Sequence, residues 1–192
     1  VPENERENMA HYLYSAVRKQ LEKKWEIVDQ PGKDTLRIRL ALTEAVGAKR
    51  VVEIGTSSGY STIWHALGVR ATEGKVFTHE IDPAKVKMAR ANFETAGVDD
   101  LITIIEGDAH ETIKQHKEPI DVLFLDAEKK GYVDYLDKLL PLIRPGGLIL
   151  GHDMHRPMPD PRYIEAITTN PDLDSSFIMM ESFGISMTVK KR

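Results

Sequence analysis

The stretch VVEIGTSSGYS, Val51–Ser61, decides how this chain is read. A β-branched apolar run stops at Gly55, small residues follow, and Gly59 precedes a segment with helical spacing. That is the outline of a strand, a loop and a helix. Gly55 and Gly59 allow the backbone to approach a ligand held at the helix N-terminus. The spacing, E-x-G-x-x-x-G from Glu53 to Gly59, is not the G-x-G-x-x-G of a pyrophosphate loop, which argues against a nicotinamide oxidoreductase.

Outward from this stretch, short β-branched runs alternate with helical ones. The runs RVVEI, KVFTHEID, LITIIEG, IDVLFLD and GGLILGHD predict strands. STIWHALG, DPAKVKMARANFETAG, HETIKQH and YVDYLDKLLPLI predict the helices between them. The alternation reads as an α/β, doubly wound, mostly parallel sheet. IDVLFLD is almost wholly apolar, as a central strand covered on both faces should be. Asp82 caps its helix, Pro83 takes the first position and Gly97 follows the last turn. At the C-terminal end, SFIMMES and ISMTVKK flank Phe183-Gly184 and predict an antiparallel hairpin.

The N-terminal part carries Met9, Leu13, Ala16, Val17 and Leu21 at helical spacing. DQPGKD breaks the chain, and Asp34 begins a second helix with Leu36, Leu40, Ala41 and Val46. The expectation is a single domain, with residues 1–33 as a helical extension and 34–192 as the core.

Composition narrows the chemistry. The 192 residues are 41% hydrophobic and 29% charged, the balance of a globular domain. There is no cysteine, which removes disulfides, zinc–thiolate sites and thiol catalysis. The net charge of −4 argues against a nucleic-acid coat. No apolar run reaches the length of a membrane span. Cytoplasm is the default expectation, and a start at Val1 rather than Met leaves room for a removed targeting segment.

Two acidic positions extend the picture. Glu80 ends the second strand run, about 20 residues after the glycine loop, where a carboxylate accepts ribose hydroxyls. Asp108 follows the third run and reads either as a receiver of an adenine amino group or as a helix cap.

With these residues in hand, the chain resembles the class I S-adenosylmethionine-dependent methyltransferases. Within them it resembles the cation-dependent O-methyltransferases, which include catechol and caffeoyl-CoA O-methyltransferases. The resemblance runs from about Asp34 to the C-terminus. It rests on VVEIGTSSGYS, EIDPAKVKMARANFETAG, IDVLFLDAEKKGYVDYL and LPLIRPGGLIL. It implies a seven-stranded sheet, S-adenosylmethionine as methyl donor and a small hydroxylated, catechol-like acceptor. Glu53, Gly55, Ser57, Gly59 and Ser61 would line or shape the methionine end, and Glu80 would hold the ribose. Gly107, Asp108 and Ala109 would contact adenine, with His110 at its edge.

The same resemblance makes Lys129 the general base and places Asp126 beside the reacting groups, next to the cofactor. A nearby cation, either the sulfonium or a metal, would favour the neutral form of such a lysine. Asp126 and Asp153 would hold a divalent ion, Mg²⁺ or Mn²⁺. The chain departs from the family after Asp153, where Met154 replaces the usual asparagine ligand. A thioether is a poor ligand for Mg²⁺, so His152 or His155 becomes an alternative donor, or the site stays empty. Tyr132, Trp25 and Met158 are candidate acceptor-pocket walls, core or surface packing being the commoner use of such residues, with Gln30–Arg37 and the loop Met154–Tyr163 flanking the pocket. The N-terminal helix offers either a homodimer contact or a face buried within one subunit. Two other readings stay open: a tRNA base hydroxyl as acceptor, and a degenerate protein that binds S-adenosylmethionine without turnover.

Overall fold

β1 (Arg50–Ile54) lies near the middle of one seven-stranded sheet, ordered β3-β2-β1-β4-β5-β7-β6. The other strands are β2 (Lys75–Glu80), β3 (Ile102–Glu106), β4 (Ile120–Leu125), β5 (Ile143–His152), β6 (Leu173–Ile178) and β7 (Ile185–Lys190). β1 to β5 pair in parallel, and β7 runs antiparallel between β5 and β6. The computed structural model describes residues 42–155, 157–178 and 184–191. The predicted N-terminal helices, with Trp25 and Gln30–Arg37, lie outside these residues, except for a last helical turn at 42–45.

The chain moves outward from β1 through β2 to β3, then returns to the other side of β1 as β4. The connections leaving β1 and β4 therefore part in opposite directions, and a crevice opens at the strands' carboxyl ends. Glu53, Glu80, Asp108, Asp126 and Asp153 all lie in the last turns or just beyond the ends of these parallel strands.

Helices cover both faces. α1 (Tyr60–Arg70) and α2 (Pro83–Ala96) pack Ala66, Val69, Ala89 and Phe93 against Val51, Val122, Phe124, Leu148 and Leu150. On the opposite face, α4 (Tyr132–Leu139) and α5 (Pro161–Thr169) pack Tyr132, Leu136, Tyr163 and Ile167 against Val52, Ile54, Leu123, Leu125 and Ile149. A short helix, α3 (Ala109–Thr112), follows β3. β4 buries residues on both faces, as its apolar run predicts. α2 is capped as read: Asp82 Oδ1 accepts from the Ala84 N–H at 2.8 Å, and Gly97 closes it at φ 61°. Among the described residues no helix is long and apolar enough to cross a membrane.

Two strands start earlier than their apolar runs. β6 begins at Leu173 rather than Ser176, and Ser175 Oγ donates to the Ile167 carbonyl at 2.6 Å and meets Thr188 Oγ1 at 2.8 Å. An edge strand pairs through its backbone, so polar side chains with partners suffice. β5 begins at Ile143, but its register jumps from Ile120↔Ile143 to Val122↔Leu148, and Arg144–Gly147 bulge out between these pairs.

The glycines of the opening stretch answer to protein neighbours before any ligand. A Cβ on Gly55 would overlap the Asp126 carbonyl, and one on Gly59 would overlap the Phe93 ring. Both sit at positive φ, 101° and 82°. Gly97, at φ 61°, has nothing within 4 Å of such a Cβ. Gly59→Ala is expected to lose about 2–3 kcal/mol from overpacking plus backbone strain, while Gly97→Ala loses about 1 kcal/mol from strain alone. Calorimetric melting of the two variants checks the difference; equal losses would mean that Phe93 does not constrain the loop.

Candidate active site

The site starts from a carboxylate without solvent access. Glu53, on β1, is fully buried. Its oxygens accept from Ser61 Oγ at 2.5 Å, Thr78 Oγ1 at 2.7 Å and Thr62 Oγ1. Ser61 and Thr62 belong to the first turn of α1, and Thr78 belongs to β2. Glu53 therefore holds the loop and the start of α1 from behind.

The loop is held from the other side by Glu80. Its Oε2 accepts from the Ser57 N–H at 2.8 Å, and Oε1 accepts from the N–H groups of Ile81 and Asp82, both at 3.0 Å. Ser57 takes a left-handed conformation, φ 50°, to make this bond. A carboxylate has about four lone-pair directions, so roughly one remains for a ligand hydroxyl. The sequence reading gave Glu80 both ribose hydroxyls; the backbone has taken most of that capacity.

Gly107, at φ 126°, donates its N–H to the Glu80 carbonyl at 2.9 Å. Asp108 caps α3: its Oδ1 accepts from the His110 N–H at 2.9 Å. The cap uses one of its two carboxylate oxygens. Ala109 and His110 follow on the same rim. The His110 ring stacks on Tyr135, centroids 4.6 Å apart. Its Nδ1 bonds Asp134, and its Nε2 lies 3.1 Å from Glu128 Oε1, which also accepts from Tyr135 OH at 2.6 Å. This network links the end of β3 to the loop that carries Lys129. Glu128, Asp134 and Tyr135 lie within one motif, and His110 joins them from 18 or more positions earlier.

Across the crevice, Lys129 Nζ lies 3.1 Å from Asp153 Oδ2 and 3.7 Å from Asp126 Oδ1. It donates to Tyr132 OH at 2.8 Å, and that hydroxyl donates to the Leu125 carbonyl at 2.6 Å. Of the candidate walls, Tyr132 takes the core alternative. It is 1% exposed and packs in the core, so it supports Lys129 rather than walling a pocket. Met158 is exposed at 44%.

Met154, where the resemblance expects an asparagine ligand, turns inward. Its side chain is 2% exposed and belongs to the core under α4 and α5, so it occupies no ligand position. Asp153 takes φ 58°, which carries the backbone around the strand end. His152 turns toward the carboxylates: its Nδ1 is 2.9 Å from Asp126 Oδ1 and 3.5 Å from Asp153 Oδ1. Among the described residues, Asp126, His152 and Asp153 bring donor atoms within 4.8 Å of one another. Two carboxylates and one imidazole are a donor set that suits a divalent ion.

A buried pair behind the rim had no sequence signal. His79 Nε2 and His116 Nε2 are 2.9 Å apart, and His79 Nδ1 meets Thr112 Oγ1 at 2.7 Å. Burial lowers His79 to about 3, assisted by His116, and burial beside Arg50 lowers His116 to about 4. Both rings are therefore neutral at pH 7 and serve as packed hydrogen-bonding groups.

Comparison with known proteins agrees with this geometry. The chain matches the O-methyltransferase family over residues 4–154. It is 39% identical over 110 residues to a catechol O-methyltransferase of Mycobacterium tuberculosis, covering 57% of this chain and 50% of that protein. It is 34% identical over 134 residues to a catechol O-methyltransferase of Niastella koreensis, covering 68% of this chain and 59% of that one. The chain thus spans between half and three fifths of these relatives' length. The crystal structure of an O-methyltransferase from Bacillus cereus in complex with SAH superposes with a TM-score of 0.74 at 27% identity, covering 100% of this chain and 93% of that one.

The hydrogen bond to Asp134 raises the pKa of His110 above its ordinary 6.5. A raised histidine stabilises the fold fully below about 6.5, and that contribution fades as pH rises through the folded value. The His110 NMR titration should therefore have its midpoint above 6.5, and Asp134→Asn should bring it down. A midpoint unchanged by Asp134→Asn would remove the pairing.

Proposed function

The chain belongs to the O-methyltransferase family, and from that premise we propose that it moves a methyl group from S-adenosylmethionine to a hydroxyl of a small aromatic acceptor bearing two adjacent hydroxyls. The observation that carries this reading is the convergence of Lys129, Asp126 and Asp153 at the ends of β4 and β5, beside the glycine-loop crevice. The catechol O-methyltransferases among its relatives support the acceptor class.

The donor occupies the crevice. Glu80 takes a ribose hydroxyl, Asp108 and Ala109 meet adenine at the rim, and the loop Gly55–Gly59 accommodates the methionine end. Lys129, in its neutral amine form, takes the acceptor proton. The acceptor oxygen forms its bond to the methyl carbon as the carbon–sulfur bond breaks, and S-adenosylhomocysteine leaves. Tyr132 and the Ala127 carbonyl, 3.3 Å from Lys129 Nζ, hold that amine in place. Orientation of this kind supplies on the order of 7–11 kcal/mol at best. A divalent ion held by Asp126 and Asp153 would acidify the adjacent hydroxyls.

Two experiments test the reading. Lys129→Ala should lower turnover on a catechol panel by about 10²-fold, with S-adenosylhomocysteine affinity kept in calorimetry. Unchanged turnover removes the base assignment. Glu80→Gln should weaken S-adenosylhomocysteine binding by roughly tenfold or more, the scale of one charged hydrogen bond. No heat of binding in the wild-type protein would end the methyltransferase reading altogether.

A further inference from the structure

The resemblance places an amide beside the two metal-facing carboxylates, and this chain has none there. The residue that follows Asp153 is Met154, and its thioether lies in the core. The donor that faces the carboxylates is instead the residue before Asp153. His152 Nδ1 approaches Asp126 Oδ1 at 2.9 Å and Asp153 Oδ1 at 3.5 Å. We propose that Asp126, His152 and Asp153 form a two-carboxylate, one-imidazole site that favours a first-row transition ion over Mg²⁺.

This inference rests on the O-methyltransferase reading for its purpose, but not for its chemistry. Mg²⁺ prefers oxygen ligands and gives up water reluctantly. Imidazole is a borderline donor that suits zinc, iron, nickel and copper, and affinities for such a site rise along the first row. Replacing an amide oxygen by an imidazole nitrogen therefore shifts preference away from Mg²⁺. The three side chains are partly exposed, 21–26% of each side chain, so an ion can reach them from the crevice. Their neighbour Lys129, 3.1 Å from Asp153, is a competing internal cation. A divalent ion must share Asp153 with it. The same geometry explains how the chain dispenses with a ligand at Met154: the chain turns at Asp153, φ 58°, so the following residue enters the core while the preceding one stays at the rim.

The test uses the full chain and metals alone. Calorimetry measures Mg²⁺, Mn²⁺, Co²⁺ and Zn²⁺, and pulsed EPR of the Mn²⁺ complex reads whether a nitrogen is bound. The expected result is a nitrogen coupling from histidine in the wild type that disappears in His152→Asn. The ratio of Co²⁺ to Mg²⁺ affinity should also fall by about tenfold or more in that variant, with Mg²⁺ affinity little changed. His152→Gln serves if the first variant melts early, and the wild-type spectrum needs no variant. Absence of the nitrogen coupling, an unchanged ratio in the variant, or no metal binding at all overturns the proposal. S-adenosylhomocysteine titration on the same samples separates the two readings. Metal with nitrogen coupling but no nucleoside binding would sink the methyltransferase reading and leave the metal site standing; nucleoside binding without the coupling would do the reverse.

Discussion

A buried carboxylate governs the glycine-loop side of this molecule. Glu53 has no solvent contact, and an unpaired charge in that position would be untenable. Three hydroxyls, from Ser61, Thr62 and Thr78, make it tolerable, at roughly 1.5–3 kcal/mol for each such bond. Because those hydroxyls come from α1 and β2, the same carboxylate pins the start of α1 to the middle of the sheet. The loop between must then run through Gly55, Ser57 and Gly59, all at positive φ. Glu80 holds its far side through the Ser57 N–H. The loop is clamped by two acids, and its shape exists before any ligand arrives.

The opposite wall is organised by charge rather than by burial. Asp126 and Asp153 project from adjacent parallel strands, and two carboxylates at that separation repel unless a cation stands between them. Lys129 fills that role, 3.1 Å from Asp153, while His152 Nδ1 bonds Asp126 from the other side. Tyr132 passes the constraint inward, since its hydroxyl joins the Lys129 amine to the Leu125 carbonyl of β4. A core tyrosine thus sets the position of the Lys129 amine. The network of His110, Glu128, Asp134 and Tyr135 joins this wall to the end of β3.

Much of this was legible in the chain. Period-two and helical spacing, with the cap at Asp82 and the glycine at Gly97, located the helices and strands well, because those signals act over a few residues. The acids at strand ends were legible for the same reason: their register follows from where each run stops. What could not be read was the use of each side chain. Gly59 was assigned to ligand approach and answers to Phe93, 34 positions away. Glu53 is sealed behind the loop by Ser61, Thr62 and Thr78, a grouping that no local spacing announces. Tyr132, in the core, meets the Lys129 amine.

The amino-acid sequence by itself determined the α/β alternation, the glycine loop and the family, since local backbone preference and short spacing specify them. Tertiary structure alone decided that His152 faces the carboxylates while Met154 packs inward, and that His79 and His116 share a buried contact. Those choices depend on which strand lies beside which, on the register between them and on the turn at Asp153. Each is set by packing across the whole sheet, which no window of neighbouring residues contains.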